Sequence, residues 1–293
     1  MIGRLIRTLG LAGLLGAALL LSSCDKYRQR SDWPEPSPAI WEVTSPSGQQ
    51  GWIFGTVHAL PRHFVWGTPL LDRTFANAGV LVVEVADLDT VDSQGIYNRL
   101  AHTPGQPPLT ARVDPAERED LRQLMQAAGV DDDDFADLET WAAALTLSGT
   151  VRLGDPLHGV DRALIAEADD LEGLETAQGQ LAMFDHLSPA AQADLLEGVA
   201  RSYAADQEEA MLLAWLTGDE DTLAANVNAA MHASPELERV LLDERNARWA
   251  ERIAGLIDAG RKPFVGVGAG HVVGDDGLIA LLSTRGFETR RIQ

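Results

Sequence analysis

Runs of almost uniformly apolar residues lie near both ends of the chain and predict buried β-strands. These runs are GWIFGTV at 51–57, GVLVVEVADL at 79–88 and KPFVGVGAG at 262–270. The second is short and rich in valine, which is typical of a strand covered on both faces. IWEVTSP at 40–46 precedes the first run across SGQQG, so these two segments predict a hairpin. FETRRI at 287–292 predicts a last strand, after a helical segment.

The middle of the chain has start and stop signals of helices. Each start signal places a capping side chain before a proline at the first helical position, and each stop signal is a glycine. The start signals are Asp114-Pro115, Ser188-Pro189 and Ser234-Pro235, and the stop signals are Gly129, Gly218 and Gly260. This pattern predicts an α/β or α+β fold, in which a central mixed sheet is built from N- and C-terminal strands and carries a helical insertion over about 110–260.

Residues 1–23 predict a lipoprotein signal peptide. Arg4 and Arg7 precede the apolar run LGLAGLLGAALLL, and two serines precede Cys24. LSSC resembles the bacterial lipobox, in which cleavage leaves the cysteine as a lipidated N-terminus. A plain signal peptide or a membrane span is the alternative, although the run is shorter than the roughly 20 residues that a spanning helix needs.

The sequence after this signal divides into a tether and a domain. Residues 24–38 contain the cysteine to be lipidated and a charged segment with three prolines, which is typical of a linker, and residues 39–293 form the domain. We therefore expect a protein of the bacterial cell envelope, held by a lipid anchor and facing the periplasm or the cell exterior. Inner and outer membrane both remain open.

The charge of the chain limits its partners. Asp and Glu number 44 against 23 Lys and Arg, which gives a formal net charge of −21. A phosphate backbone is repelled by such a chain, so nucleic acid is not an expected partner. Cys24 is the only cysteine, which excludes an intramolecular disulfide and a cysteine metal cluster.

Two Gly-x-x-His patterns follow strand-like runs. Gly55 precedes His58 in FGTVHALP, and Gly268 precedes His271 by the same interval in FVGVGAGHVVG. Glycine lets the backbone turn sharply or approach a ligand closely, and ligands of open sheets bind at strand ends. The shared pattern favours two histidines that meet across neighbouring strands, and two unrelated loop histidines are the alternative.

Glu84 lies in the apolar run LVVEVA, where its carboxylate needs a partner. A structural salt bridge and a functional site are both consistent with that position. If His58, Glu84 and His271 converge, they form a two-histidine, one-carboxylate set, which is a ligand type of hydrolytic zinc and related divalent metals. The metal-bound water is then the nucleophile.

Three further polar residues are candidates for the site. Asn246 lies at the centre of an apolar helix face and needs hydrogen bonds there, with Arg245 on the flank of that face. Asn246 can bridge backbone groups or serve a site, and Arg245 can pair with a carboxylate such as Glu84. Glu175 follows the short run DLEGL, a possible strand end, and is a candidate fourth ligand or general base.

Several of these stretches together resemble the TraB/PrgY/GumN family, to which the Tiki metalloproteases are related. The stretches are GWIFGTVHALP, LVVEVADL, GLETAQGQLAMFDHL, AWLTGD, LLDERNARWAERI and PFVGVGAGHVVGDDGLIALLSTRGFETRRI. The resemblance covers roughly residues 38–293, and GLET and ERN bring the chain nearest to the GumN-like bacterial branch. The family hallmark of two Gly-x-x-His motifs and a glutamate is matched by Gly55 and His58, Gly268 and His271, and Glu84.

The resemblance implies a fold and an activity. The fold is akin to erythromycin-esterase-like and haem-binding proteins, and the Tiki branch implies proteolysis with manganese, cobalt or zinc. We therefore expect a membrane-anchored, extracytoplasmic metallopeptidase acting on a peptide or protein. His58 and His271 hold the metal, and Glu84 is a ligand or the base. Arg245 or Asn246 stabilises the oxyanion, and Glu175 is the reserve carboxylate.

Two other functions are consistent with the same residues. One is a binding protein that holds haem or a peptide in the cleft without turnover. The other is an accessory lipoprotein that engages a partner in envelope assembly through its acidic helical insertion.

Overall fold

The computed structural model of the protein describes residues 33–87, 91–205, 207–231 and 234–293. The predicted signal peptide, Cys24 and the tether up to residue 32 lie outside these residues. The end of the tether, 33–38, lies against the domain. Ser37 donates from its backbone N–H to the carbonyl of Leu216 across 2.8 Å, and the ring of Trp33 packs edge-on against Phe64.

Six strands form one sheet in the order β4-β3-β5-β2-β1-β6. They are β1 (Ile40–Thr44), β2 (Gln50–Thr56), β3 (Val80–Val85), β4 (Leu171–Glu175), β5 (Pro263–Gly268) and β6 (Glu288–Arg291). β2, β5, β3 and β4 pair in parallel, whereas β1 pairs antiparallel with both β2 and β6. The predicted mixed sheet and α+β class are therefore confirmed, and so is the hairpin of β1 and β2.

The central strands are buried on both faces because most of their successive positions are apolar or glycine. Phe54, Leu81 and Phe264 point into one hydrophobic core, and Ile53 and Val265 point into a second core on the opposite face. This division follows from the two-residue period of a strand. Helices cover both faces, as the uniformly apolar runs predicted.

The helices lie mainly between β3 and β5. They are α1 (Pro69–Ala76), α2 (Ser93–Ala101), α3 (Arg118–Ala128), α4 (Thr140–Val151), α5 (Val160–Glu167), α6 (Ala177–Asp185), α7 (Pro189–Ala204), α8 (Glu208–Thr217), α9 (Glu220–Met231), α10 (Pro235–Glu238), α11 (Glu244–Asp258) and α12 (Leu278–Thr284). A π-helical segment, Arg239–Asp243, joins α10 to α11. In the described part of the chain, no helix has the length and apolarity needed to cross a membrane.

Two of the three predicted helix starts are confirmed. α7 begins at Pro189 with a bond from Ala191 N–H to the Ser188 hydroxyl, and α10 begins at Pro235. The start at Asp114-Pro115 is wrong. The Asp114 carboxylate accepts from the N–H of Ala116, two residues on, so the chain makes a turn before the helix begins.

The helical insertion has a core of its own and also contributes to the sheet. α3, α4 and α7 pack around Leu121, Leu147 and Leu196, which are fully buried. β4 (Leu171–Glu175) comes from within 110–260 and pairs with β3 at the edge of the sheet. The insertion therefore supplies Glu175 at the end of a sheet strand, beside the strand that carries Glu84.

Candidate functional site

The candidate residues cluster where β2, β3 and β5 end side by side. Glu84 lies on β3, Gly268 is the last residue of β5, and His58 follows β2 by two positions. His271 ends the short helix Ala269–His271, directly after β5. Thr56 pairs with Gly268 in the parallel register of β2 and β5, so the two Gly-x-x-His motifs meet at one edge of the sheet.

The backbone of Gly268 is the point around which the cluster is arranged. Its N–H donates to Oε1 of Glu84 across 2.8 Å. A Cβ at this position would lie 3.1 Å from that oxygen, 3.6 Å from Nε2 of His58 and 3.7 Å from Cδ2 of His271. The three side chains therefore face the same small space, and glycine keeps that space open.

Gly55 has a different role in the site. A Cβ there would lie 3.0 Å from both Cα and Cβ of Ala269. The glycine thus lets β2 approach the segment that leads to His271. Both motif glycines are therefore needed for the cluster. Gly268 leaves space between the three side chains, and Gly55 allows close backbone packing.

His271 is buried and held through both ring nitrogens. Nδ1 lies 2.7 Å from Oδ1 of Asn246, whose Nδ2 donates to the carbonyl of Asp276. Nη1 of Arg245 lies 3.0 Å from Nε2. Because arginine can only donate, the proton of His271 is on Nδ1 and the ring is neutral. Burial lowers the pKa of His271 to about 4, the charges of Arg245 and His58 act in the same direction, and Glu84 opposes them.

His58 faces the site from the solvent side, with 58% of its side chain exposed. Its Nδ1 lies 2.8 Å from Oδ2 of Asp161, which covers that edge of the ring, and Oδ1 of Asp161 accepts from the hydroxyl of Thr56. Desolvation of the inner edge of the ring, where Nε2 faces Gly268, opposes the charged imidazolium, but the hydrogen bond and charge of Asp161, together with Glu84, outweigh it. The pKa of His58 is raised to about 9.

Glu84 accepts hydrogen bonds through both carboxylate oxygens. Oε2 accepts from Nη2 of Arg245 at 2.8 Å and from Nε2 of Gln180 at 3.3 Å, while Oε1 accepts from Gly268. Burial raises the pKa of Glu84, but His271, Arg245, His58 and the Gly268 N–H outweigh it and lower the pKa to about 2. Because His271 is neutral in this arrangement, we attribute the ionised state mainly to Arg245.

Arg245 occupies the centre of the cluster with 6% of its side chain exposed. Nε and Nη2 donate to Glu175 and Nη2 also donates to Glu84, whereas Nη1 donates to the carbonyl of Leu241 and to His271. These contacts use all five N–H groups of a guanidinium. The pairing of Arg245 with Glu84, one of the roles expected from the sequence, is present.

The start of α11 explains how Arg245 reaches this position. The preceding segment, Arg239–Asp243, is π-helical, and the N–H of Glu244 bonds to the carbonyl of Arg239, five residues back. Arg245 then begins the buried face of α11. The ring centroid of Trp249, one turn further on, lies 4.4 Å from Cζ of Arg245 and 4.5 Å from the ring of His271. Trp249 thus packs against both the guanidinium of Arg245 and the imidazole of His271.

The charges of the centre are paired. Two carboxylates, Glu84 and Glu175, with 11% and 13% of their side chains exposed, share the Arg245 guanidinium, and Arg248 lies 3.7 Å from Glu175 at the rim. A buried network of this kind is costly to break on one side only, because the remaining charge is left unpaired.

The donor set agrees with a divalent metal in its chemistry. Each histidine has one ring nitrogen bonded to a fixed oxygen and the other turned toward the cluster, which is the usual environment of histidine ligands. Arg245, however, bonds the inward nitrogen of His271 and one oxygen of Glu84. In the residues that the structure describes, no three His, Cys, Asp or Glu side chains are grouped closely enough to hold an ion.

The candidate residues of the domain that the sequence predicted lie in or beside this cluster, whereas Cys24 lies outside the described residues. Three members of the cluster were not predicted. Asp161, Gln180 and Trp249 reach the cluster from α5, α6 and α11. Asp161 lies in GVDRAL, which has no local feature of a site. Trp249 lies on the apolar helix face at whose centre Asn246 was predicted.

The chain was compared with known proteins. A family model described as the TraB/PrgY/gumN family matches residues 39–291. No curated protein sequence and no solved structure is significantly similar to the chain.

Proposed function

The chain belongs to the TraB/PrgY/gumN family, and on that premise we propose that it is a metal-dependent hydrolase with its reaction centre at the ends of β2, β3 and β5. The observation that carries this proposal is the arrangement of His58, Glu84 and His271 around the backbone of Gly268. Two imidazoles with fixed outer nitrogens and a carboxylate are a common ligand set for hydrolytic metals.

The residues that would hold the metal are His58, Glu84 and His271. Bound manganese, cobalt or zinc supplies a water of lowered pKa and polarises the scissile carbonyl. Oε1 of Glu84 accepts one hydrogen bond, from Gly268, and keeps a second lone pair for this role.

The surrounding residues position these three. Asp161 orients His58 through Nδ1, and Asn246 fixes the tautomer of His271. Arg245 keeps Glu84 ionised and in place, and Glu175 holds Arg245. The five donors of Arg245 are in use, and Asn246 bonds the outer nitrogen of His271, so both act in this proposal by positioning the ligands and not as oxyanion donors.

We place the enzyme in the bacterial cell envelope, anchored through a lipidated Cys24, with a peptide or protein as substrate. The support for the anchor is the sequence of residues 1–24, in which arginines, an apolar run and LSSC follow one another. The support for a peptide substrate is the resemblance to the Tiki metalloproteases. Replacing Cys24 by serine is expected to release the protein from washed membranes, and retention of this variant would contradict the anchor.

Elemental analysis of the purified full-length protein tests the metal. After reconstitution with manganese, cobalt or zinc and desalting, we expect close to one ion per chain. The His58→Ala/His271→Ala variant is expected to hold none while keeping its circular dichroism spectrum. His186→Ala removes an exposed histidine at the end of α6 and serves as the control. Equal metal content in all three proteins would contradict the proposal.

A peptide-library digest with the loaded protein then tests the reaction. Cleavage that requires the ion and is lost in the double variant is the expected result. A loaded protein that cleaves no peptide would remove the peptidase assignment.

A binding protein without turnover is the second candidate. The observation that favours it is the saturation of Arg245, which bonds both carboxylates and His271. Ligand binding by a protein that takes up no metal after reconstitution would support this candidate over the hydrolase.

A further inference from the structure

A cavity of about 360 Å³ lies beside His58 and is not part of the cluster around Gly268. Leu60, Phe64, Trp66 and Leu157 form its apolar surfaces, and Leu157 is half exposed. The volume is at the lower end of the range for small-molecule sites, roughly 300–1,000 Å³. The cavity is therefore large enough for a ligand, or part of a ligand, the size of one or two amino-acid residues.

The polar residues of this cavity are all basic. His63, His158 and Arg162 line it, and no Asp or Glu does so among the described residues. Arg162 is the residue of this lining that carries a formal charge at pH 7, because histidine is counted as neutral. An apolar pocket bordered by basic groups favours a ligand that combines an apolar body with a negative charge.

His63 adopts a strained backbone conformation at this pocket. Its φ is +63°, in the left-handed region that residues other than glycine rarely adopt, and Lys262, with φ +51°, is the other such residue in the described chain. Strain of this kind is retained where a side chain has to face a particular direction. Lys262 stands just before β5, at the opposite end of the strand from Gly268.

The pocket and the reaction centre share one wall. Gly159, which precedes α5 and lines the pocket, packs so closely on His58 that a Cβ would lie 2.4 Å from the His58 carbonyl oxygen. Arg162 lines the pocket, and its neighbour Asp161 bonds the ring of His58. A group held in the pocket is therefore adjacent to His58.

We propose that this pocket binds the C-terminal residue of a peptide. The terminal carboxylate faces Arg162, His158 and His63, and an apolar side chain lies against Phe64 and Trp66. This inference rests on the proposed function, because it names the part of a peptide substrate that lies next to the reaction centre. It predicts that the enzyme prefers peptides with a free C-terminal carboxylate.

Calorimetric titration of the full-length protein in non-ionic detergent and EDTA tests the proposal. The probes are N-acetyl-phenylalanyl-leucine and its C-terminal amide. We expect the acid to bind at least tenfold more tightly than the amide, and to lose affinity as salt is added. Equal affinity for acid and amide would overturn the proposal. So would equally tight binding of 4-methylpentanoate, which carries the carboxylate and the leucine side chain without a peptide.

Variants test whether the carboxylate of the probe binds to Arg162 in the pocket. Arg162→Ala is expected to weaken binding of the acid at least fivefold and to leave the amide unchanged. Arg122→Ala removes an exposed arginine of α3, outside the pocket, and is expected to change neither. An equal loss in both variants would show a general charge effect and contradict the assignment.

The strained residues supply a second matched pair. His63→Gly and Lys262→Gly each relieve a left-handed residue, so neither is expected to lower Tm. Only His63→Gly is expected to weaken binding of the acid, by about threefold or more. Equal affinities of the two variants for the acid would show that the His63 side chain does not contribute to binding. That result would contradict the proposed reason for its left-handed backbone.

The binding assay separates this proposal from the hydrolase assignment, because it needs neither metal nor turnover. Selective binding of the acid by a protein that hydrolyses no peptide would support the pocket and contradict the enzyme. Peptide hydrolysis without any preference for the free acid would support the enzyme and contradict the pocket.

Discussion

Arg245 and His271 share a hydrogen bond of 3.0 Å, from Nη1 of the guanidinium to Nε2 of the imidazole. This bond places the proton of His271 on Nδ1 and directs it to Asn246. The same guanidinium bonds Glu84 and Glu175. Any ion that His271 binds through Nε2 must therefore displace Arg245 from that nitrogen, and the stability and the chemistry of the site are coupled through one side chain.

Removal of the guanidinium is expected to destabilise the protein strongly. Arg245→Met removes the buried cation that Glu84 and Glu175 share and leaves Glu175 only the exposed Arg248 at 3.7 Å, a loss of about 3–5 kcal/mol in the free energy of unfolding. Urea denaturation measures it. Arg248→Met removes a side chain that is 59% exposed at the rim, and should cost less than about 1 kcal/mol. Similar losses in both variants would contradict a central role for Arg245. If Arg245→Met does not fold, Arg245→Lys is measured in its place.

A methyl group at position 268 is expected to impair function more than stability. In Gly268→Ala the added Cβ contacts Oε1 of Glu84 and faces both histidines. A misplacement of about 1 Å can cost about 100-fold in rate, so we expect a loss of up to that order together with weaker metal binding. Gly67→Ala, where nothing lies within 4 Å, is the control. Wild-type metal content and turnover in Gly268→Ala would contradict the proposed centre.

Asn246 is expected to affect metal affinity without being a ligand. Asn246→Leu removes the oxygen that holds Nδ1 of His271, and loss of such a partner typically lowers affinity by about 10- to 100-fold. Competition with a chromogenic chelator measures the change. Asn98→Leu alters an exposed asparagine of α2 and should have no effect. Unchanged affinity in Asn246→Leu would show that His271 is not oriented for metal.

The pair of His58 and Asp161 is expected to give a pH-dependent stability in the metal-free protein. The pKa of His58 is about 9 in the folded state against an ordinary 6.5, so the charged form is favoured by folding. The stabilisation is complete below pH 6.5 and is lost as the pH rises through 9. NMR titration of His58 should give the raised pKa, which should fall toward 6.5 in Asp161→Asn.

The linked change in unfolding free energy provides an independent check. Between pH 7 and 9.5 the urea midpoint of the wild type should fall further than that of Asp161→Asn. Parallel curves for the two proteins would mean that Asp161 does not set the charge of His58.

The sequence predicted the parts of the fold and of the cluster that have a local signature. Apolar runs identified the central strands, and the repeated Gly-x-x-His pattern identified the strand ends that meet in the cluster. Arg245 and Asn246 were found because polar residues on an apolar helix face need partners. The sequence pattern of the edge strand β4 indicated a strand only weakly, because its positions are partly buried and one of them is glycine.

Asp161 and Gln180 had no such signature. Both lie near the starts of short helices with an ordinary polar pattern, and their role depends on how α5 and α6 pack against the sheet. The Asp114 start was wrong because a turn two residues long competes with a helix cap for the same carboxylate. Contacts between distant elements, unlike strand or helix periodicity, are not encoded in neighbouring positions.

The parallel pairing of β2 with β5 has a consequence for biosynthesis. Gly268 and Glu84 are bonded to each other although they are 184 positions apart, and His271 stands near the end of the chain. A nascent polypeptide that ends before β5 has His58 and Glu84 but lacks their partners, and contacts so distant in sequence form slowly. The cluster is complete only once β5 has been made and has paired with β2, so a shorter polypeptide lacks the arrangement on which the proposed activity depends.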